Sequence, residues 1–180
     1  MATTKENNRK NRDEQLEYLM RRFGDKVLQL TFSYLRDREE AEDAAQEVFL
    51  RVYNSLDKFK GESSLFTWIY QITVNLCRDR LRKRNFFKWE YLSEDNITYK
   101  MPGPEQQAIT SFEEQAVLKA VLELPLPYRE AIVLHYLNQL TVKEVAEVTG
   151  TSTAAAKIRL YRARKKLKEI LKNRGVDYVE

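Results

Sequence analysis

The 180-residue sequence predicts an all-α fold of two small helical domains joined by a flexible linker, the second carrying a helix-turn-helix. Three observations carry that prediction. Apolar residues recur three and four apart through most of the chain, the spacing of one buried helix face. No segment alternates apolar and polar residues in a way that makes a convincing strand. Residues 90–104 (EYLSEDNITYKMPGP) lose periodicity and end in Pro-Gly-Pro, the chemistry of a linker. The chain therefore divides into a polar stretch 1–12 expected to be disordered, a domain 13–89, the linker 90–104, and a domain 105–173.

Composition narrows the functional classes. The chain is 43% hydrophobic and 32% charged, with a net charge of +4. That excess is modest but locally concentrated, which points to a nucleic-acid footprint better than a uniform excess would. One cysteine, Cys77, excludes an internal disulfide and a multi-cysteine zinc site, and its apolar surroundings read as core packing. The one histidine, His135, sits in the apolar run AIVLHYL, and five separated glycines exclude a GxGxxG loop or a P-loop. Neighbouring acids such as Glu39/Glu40 and Glu113/Glu114 diverge on a helix. No catalytic set, metal site or cofactor is expected, and so no enzyme. Neither a signal peptide nor a bilayer-spanning run is present, so a cytoplasmic protein without membrane insertion is expected.

The first helix follows from Leu16, Leu19, Met20, Phe23, Val27, Leu30 and Tyr34, with Gly24 a candidate kink. Asp37 caps the second, whose buried stripe is Ala41, Ala44, Ala45, Val48, Phe49, Val52 and Leu56. Six acids against two arginines between Arg36 and Glu47 give it a net −4. Acids complement the dipole only in the first turn, whereas Asp43, Gln46 and Glu47 extend the polar face further. It is either a solvated face or a docking face for a basic partner.

The loop from Lys60 to Ser64 leads to a third helix capped by Ser63 or Ser64, with Leu65, Trp68, Ile69, Ile72 and Leu76 as its apolar face. The helix ends in cations, six against one acid from Arg78 to Lys88. Aromatics beside a basic helix can stack on unpaired bases. Trp68 fits the core stripe, which leaves Phe59 and Phe66, flanking the loop, as the better DNA candidates.

Beyond the linker, Pro104 suits the start of a helix through Glu123, with Ile109, Phe112, Ala116, Leu118 or the Lys119 stem, and Leu122 facing inward. Pro125 and Pro127 interrupt it, and a short helix from Tyr128 to Leu137 follows. Thr141 and Glu144 then have capping-box spacing, Gly150 suits a left-handed helix end, and Ser152 or Thr153 caps the last helix. That helix buries Ala156, Leu160, Ala163, Leu167 and Ile170. From Lys157 to Arg174 it carries nine basic residues and one acid, a net +8. Small residues at Ala146, Gly150 and Ala156 allow close helix approach. Turn chemistry, small contacts and local charge together favour DNA binding over a hairpin with a solvated basic face.

Three segments in this order resemble the extracytoplasmic-function (ECF) sigma factors of the sigma-70 family: EAEDAAQEVFLRVY, FKGESSLFTWIYQITVN with its basic continuation, and LPLPYREAIVLHYLNQLTVKEVAEVTG with RLYRARKKL. The resemblance covers roughly 15–84 and 105–172. It implies a region 2 domain over 13–89 and a region 4 domain over 105–173. Together these bind core RNA polymerase and the two promoter elements, usually under the control of an anti-sigma factor. By position, Glu42, Asp43, Gln46 and Glu47 would dock on the clamp of the largest polymerase subunit. Phe59, Lys60, Gly61, Ser63, Ser64, Phe66 and Asn75 would face the −10 element, with Arg78, Arg82 and Arg84 on its phosphates. Thr153, Lys157, Ile158, Arg159, Tyr161, Arg162 and Arg164 would contact the −35 element. The family commonly has Gly-Thr-Val-Lys-Ser-Arg where this chain has Ala154-Ala155-Ala156-Lys157-Ile158-Arg159, so the −35 sequence read is expected to differ. A stand-alone regulator using only the C-terminal helices is the alternative, and it leaves the acidic helix unexplained.

Overall fold

The computed structural model describes residues 2–61, 63–90 and 112–175. Seven helices follow in order among them: α1 (Ala2–Leu35), α2 (Arg38–Ser55), α3 (Leu65–Glu90), α4 (Phe112–Glu123), α5 (Leu126–Ile132), α6 (Val142–Thr149) and α7 (Thr153–Asn173). A 3-10 turn, Leu56–Lys58, closes α2, and α5 widens into a π turn over Val133–Leu137. The described residues contain no strand. Of the expected linker only Glu90 is described, and Pro104 and Ile109 lie outside the described residues.

The first unit assembles as its spacing predicts. Leu19, Phe23, Val27, Leu30 and Tyr34 of α1 meet Ala41, Ala44, Val48, Phe49 and Val52 of α2 and Ile69, Val74 and Leu76 of α3, all buried. Met20 is 46% exposed and falls off the stripe. The stretch expected to be disordered is helical from Ala2. Arg12 explains why that helix continues: its guanidinium donates to the Tyr53 carbonyl (2.6 Å), pairs with Asp57 (3.2 Å) and lies over the Tyr53 ring. Lys, Glu and Arg before it are good helix formers, so an anchored end suffices to extend the helix. Gly24 lies inside the continuous helix. Asp37 caps α2 by accepting from the Glu40 amide (3.0 Å), and Ser64 caps α3 by accepting from the Thr67 amide (3.1 Å).

The second unit is organised around the α6–α7 turn. Thr141 and Glu144 form the reciprocal capping box, with the Thr141 amide donating to Glu144 (2.8 Å). Gly150 is left-handed at φ +68°, and the Thr151 amide reaches the Ala146 carbonyl (2.8 Å). Ser152 accepts from the Ala155 amide (3.1 Å), and Ala146 and Ala156 are buried where the helices cross. The α4 register differs from expectation: Ala120, Val121, Leu122 and Leu124 are buried, whereas Leu118 and Lys119 are exposed. Here every apolar residue from Val117 to Leu124 fits some helical stripe, and only the partner helices decide which side is covered. In the π turn His135 donates from Nδ1 to the Leu140 carbonyl (2.7 Å), so the lone histidine is a turn brace.

The two units share one apolar cluster. α6 lies across α3, while α5 and the π turn rest on α1. α3 buries Ile69 and Leu76 of its predicted stripe together with Tyr70, Thr73, Val74 and Cys77, whereas Leu65, Trp68 and Ile72 are half-buried. Burial pushes the Cys77 thiol up to about 12, as its reading as a packing residue requires.

Candidate nucleic-acid interface

Three surfaces carry the residues singled out above. The first is the outward side of α2. Asp43 and Gln46 are exposed, and at helical spacing they share a stripe with Glu39 and Leu50. Leu50 is 61% exposed and was not anticipated. It is a large apolar side chain at the end of an acidic row, a composition typical of a docking surface. Glu42 and Glu47 are tied up differently. Glu42 pairs with Arg38 (2.8 Å), whereas Glu47 pairs with Arg51 (2.6 Å) and with Arg80 of α3 (2.8 Å). The Arg80 hydrogen bond, helped by Arg51, holds the Glu47 carboxyl below its usual range despite partial burial. Glu47 thus joins α2 to α3, and Asp43 and Gln46 are the open pair.

The second surface is the face between α2 and α3. Asn75 is exposed and lines an open groove of about 400 Å³ with Arg51, Asn54, Ser55, Lys58 and Ile72. Amide and cationic groups over an Ile floor can both hold a base edge and stack on its face. The Lys60–Ser64 loop is exposed at Lys60, Gly61 and Ser64, and Gly61 takes φ +71°, which the absence of a side chain permits. Ser63 and Ser64 serve the loop itself: Ser63 donates to the Ser64 carbonyl (3.3 Å) and Ser64 caps α3.

Two aromatic expectations change here. Phe66 packs edge-on against Phe23 of α1 (4.1 Å between centroids), so it belongs to the core edge and does not stand free at the loop. Phe59 rests on Trp68 (5.1 Å), and both are half-buried. The basic end of α3 also divides. Arg82 is exposed beside Asp79 (2.8 Å), and Arg84 donates to the Leu35 carbonyl (3.3 Å). Arg78 turns away from the expected phosphate position and into the second unit, donating to Glu130 (2.8 Å) and to the Thr149 carbonyl (3.1 Å). Its partners lie 52 and 71 residues ahead, beyond the reach of a local pattern.

The third surface is α7. At about 100° per residue, Lys157, Ile158, Tyr161 and Lys165 form one face, and all four are exposed. Ile158 is 52% and Tyr161 63% exposed, unusual for apolar and aromatic residues without a partner. Arg162 and Arg164 flank this face and are exposed, and Thr153 opens the helix. Arg159 is half-buried and points to the far side, which separates it from the expected reading set. Lys165 lies on the exposed face instead.

Two family models match the chain. Sigma-70 region 2 matches residues 19–87 and Sigma-70, region 4 matches 114–167. The chain is 32% identical over 160 residues to the ECF RNA polymerase sigma factor SigW of Bacillus subtilis, an alignment spanning 84% of this chain and 86% of the relative. The chain belongs to the ECF sigma factors of the sigma-70 family. Another relative of this ECF sigma factor is SigM of Bacillus subtilis, 35% identical over 84% of this chain and 91% of the relative. Its fold resembles the sigma factor RpoE solved in complex with the anti-sigma factor NepR from Bartonella quintana, with a TM-score of 0.76 at 23% identity over 88% of this chain and 98% of that one. It also resembles CnrH solved with the cytosolic domain of CnrY, with a TM-score of 0.66 at 24% identity over 89% and 90% of the two chains. The region 2 match thus falls on α1–α3 and the region 4 match on α4–α7. A stand-alone regulator is set aside, because that reading leaves region 2 without a role. Among the described residues no helix is long and apolar enough to cross a membrane.

Proposed function

We propose that this ECF sigma factor docks on core RNA polymerase through Asp43, Gln46 and the neighbouring Leu50. It reads the −10 element with the Asn75 groove and the Lys60–Ser64 loop, and the −35 element with the outward face of α7. It acts as a cytoplasmic, non-catalytic initiation factor. The observation that carries the reading is the order of surfaces: an acidic helix, an open polar groove and a basic recognition helix, within regions 2 and 4 of one family. An extruded nucleobase entering this groove would exchange its lost stacking for polar contacts with Asn54 and Asn75 and apolar contact with Ile72.

On α7, Lys157, Arg162 and Arg164 are placed for phosphate or guanine contact, and Ile158 for a thymine methyl. With Ala154, Ala155 and Ala156 at its start, the helix offers no side-chain hydroxyl there except Thr153, so the −35 sequence rests on contacts further along the helix. Control by an anti-sigma factor is suggested by the fold relative RpoE, which was solved with the anti-sigma factor NepR.

In vitro transcription tests the whole reading. Purified chain plus core polymerase should initiate from a promoter with both elements, and the Asp43→Lys variant should lose most of that activity through weaker core binding. Unchanged core affinity in that variant would remove the α2 assignment, and duplex binding without initiation would remove the sigma role.

A further inference from the structure

We propose that Tyr18, Arg22 and Lys26 of α1 form a second single-strand site, which takes the non-template nucleotides between the −10 element and the start site. This rests on the −10 reading above. The three residues stand four apart, so they share one stripe of the helix. At 1.5 Å rise per residue the stripe is about 12 Å long. Tyr18 is 56% exposed, Arg22 is exposed and Lys26 is half-buried. Arg21, one position away, pairs with Glu17 (2.5 Å), whereas Arg22 donates to the Tyr18 hydroxyl (3.0 Å). The Arg22 guanidinium also lies 5.9 Å from the Tyr18 ring centroid and 5.8 Å from that of Phe66. The Lys26 ammonium stands 5.7 Å from the Phe66 centroid. Among the described residues neither cation pairs with a carboxylate. Both are held against ring faces with their charge open to an anion.

Phe66 fixes where this stripe lies. It is the second residue of α3, just past the Lys60–Ser64 loop, and it packs on Phe23 of α1 (4.1 Å). The stripe therefore borders the loop assigned to the −10 element. The −35 reading needs the upstream DNA as a duplex, so a melted strand leaves the loop the other way, toward the start site. An exposed tyrosine offers a stacking face that accepts any base, and the two cations meet the phosphates on either side. At roughly 3.4 Å per stacked nucleotide the stripe has room for about three. Bases within a duplex are already stacked on their neighbours, so Tyr18 favours melted DNA over paired DNA. The site thus holds the strand once the first base has left the helix.

The test uses the full chain assembled with core polymerase, and the labelled non-template strand of a promoter from which that holoenzyme initiates. One strand ends with the −10 element, and a second continues a few nucleotides toward the start site. In fluorescence anisotropy, Tyr18→Ala should bind the longer strand roughly tenfold more weakly, the loss of one base stack, and the shorter strand as before. Tyr18→Phe should restore the affinity, because the ring and not the hydroxyl carries the stack. Replacing Arg22 and Lys26 together by alanine should flatten the slope of log affinity against log salt on the longer strand by about 1.4, at roughly 0.7 for each single-strand phosphate. Circular dichroism verifies that each variant keeps its helicity. Unchanged affinity of Tyr18→Ala for the longer strand would overturn the site, as would an equal loss on both strands or an unchanged salt slope. Weaker core binding by these variants would give the stripe to a protein partner and overturn the DNA assignment. Unmodified holoenzyme that initiates but gains no affinity from the −10 strand would instead overturn the −10 reading.

Discussion

At the scale of single residues, Glu47 is the side chain whose chemistry the fold alters most clearly on the proposed docking helix. Arg80 and Arg51 hold its carboxylate, and its titration lies below the ordinary 4.5 of a free glutamate. A carboxyl depressed in this way contributes stability above its unfolded value, and loses it as pH falls through the folded value. The pair is half-exposed, so its contribution is about 0.2–1 kcal/mol, as for other surface pairs. In a carbon-detected NMR titration Glu47 should therefore lose its proton below the ordinary glutamate range, and Arg80→Ala should raise its midpoint toward 4.5. Coincident midpoints in the two proteins would mean that Arg80 does not tune the site. Asp43 and Gln46 were legible from spacing alone, because exposure on a helix follows from its own stripe. Phe66 and Arg78 were not, because Phe23 and Glu130 lie 43 and 52 positions away, and which partner a side chain meets is a property of packing.

At the scale of elements, the caps were legible and the registers less so. Thr141, Glu144, Gly150 and Ser152 act on backbone groups within three or four positions, so their spacing suffices. The covered side of α4 and the π turn after α5 depend on what lies against them, and no local pattern encodes that. Two glycines make the local physics measurable, because an added Cβ would touch nothing at either position. Gly24 lies within α1, where alanine removes unfolded-state freedom, so Gly24→Ala should stabilise by roughly 0.5–1 kcal/mol. Gly150 holds φ +68°, where alanine strains the backbone, so Gly150→Ala should destabilise by about 1–2 kcal/mol. Urea unfolding of the two variants should thus move the midpoint in opposite directions. Shifts of the same sign would show that the α6–α7 turn can relax to another geometry.

At the scale of the whole molecule, a net charge of +4 conceals a division of labour. The acidic row of α2 and the basic face of α7 belong to different units, and each is exposed. Both helices and their charge were legible in the sequence; the packing of the units on each other was not, since Glu130 reads locally as a surface acid in a helical run. The separation of charge predicts separable binding defects. Each phosphate that a lysine or arginine neutralises releases counterions, and contributes about −0.9 to the slope of log affinity against log salt. Replacing Lys157, Arg162 and Arg164 together by alanine should therefore flatten the slope for promoter binding by roughly two to three, while affinity for core polymerase stays unchanged. Asp43→Lys should do the reverse, weakening core binding and leaving the salt slope of duplex binding by the free chain as it was. Measured as salt titrations by fluorescence anisotropy, the two defects should add in the combined variant, because the sites share no contacts. An α7 triple variant that keeps the full slope would move the phosphate contacts to another surface, with the exposed Arg82 and Lys83 of α3 the next cations to replace.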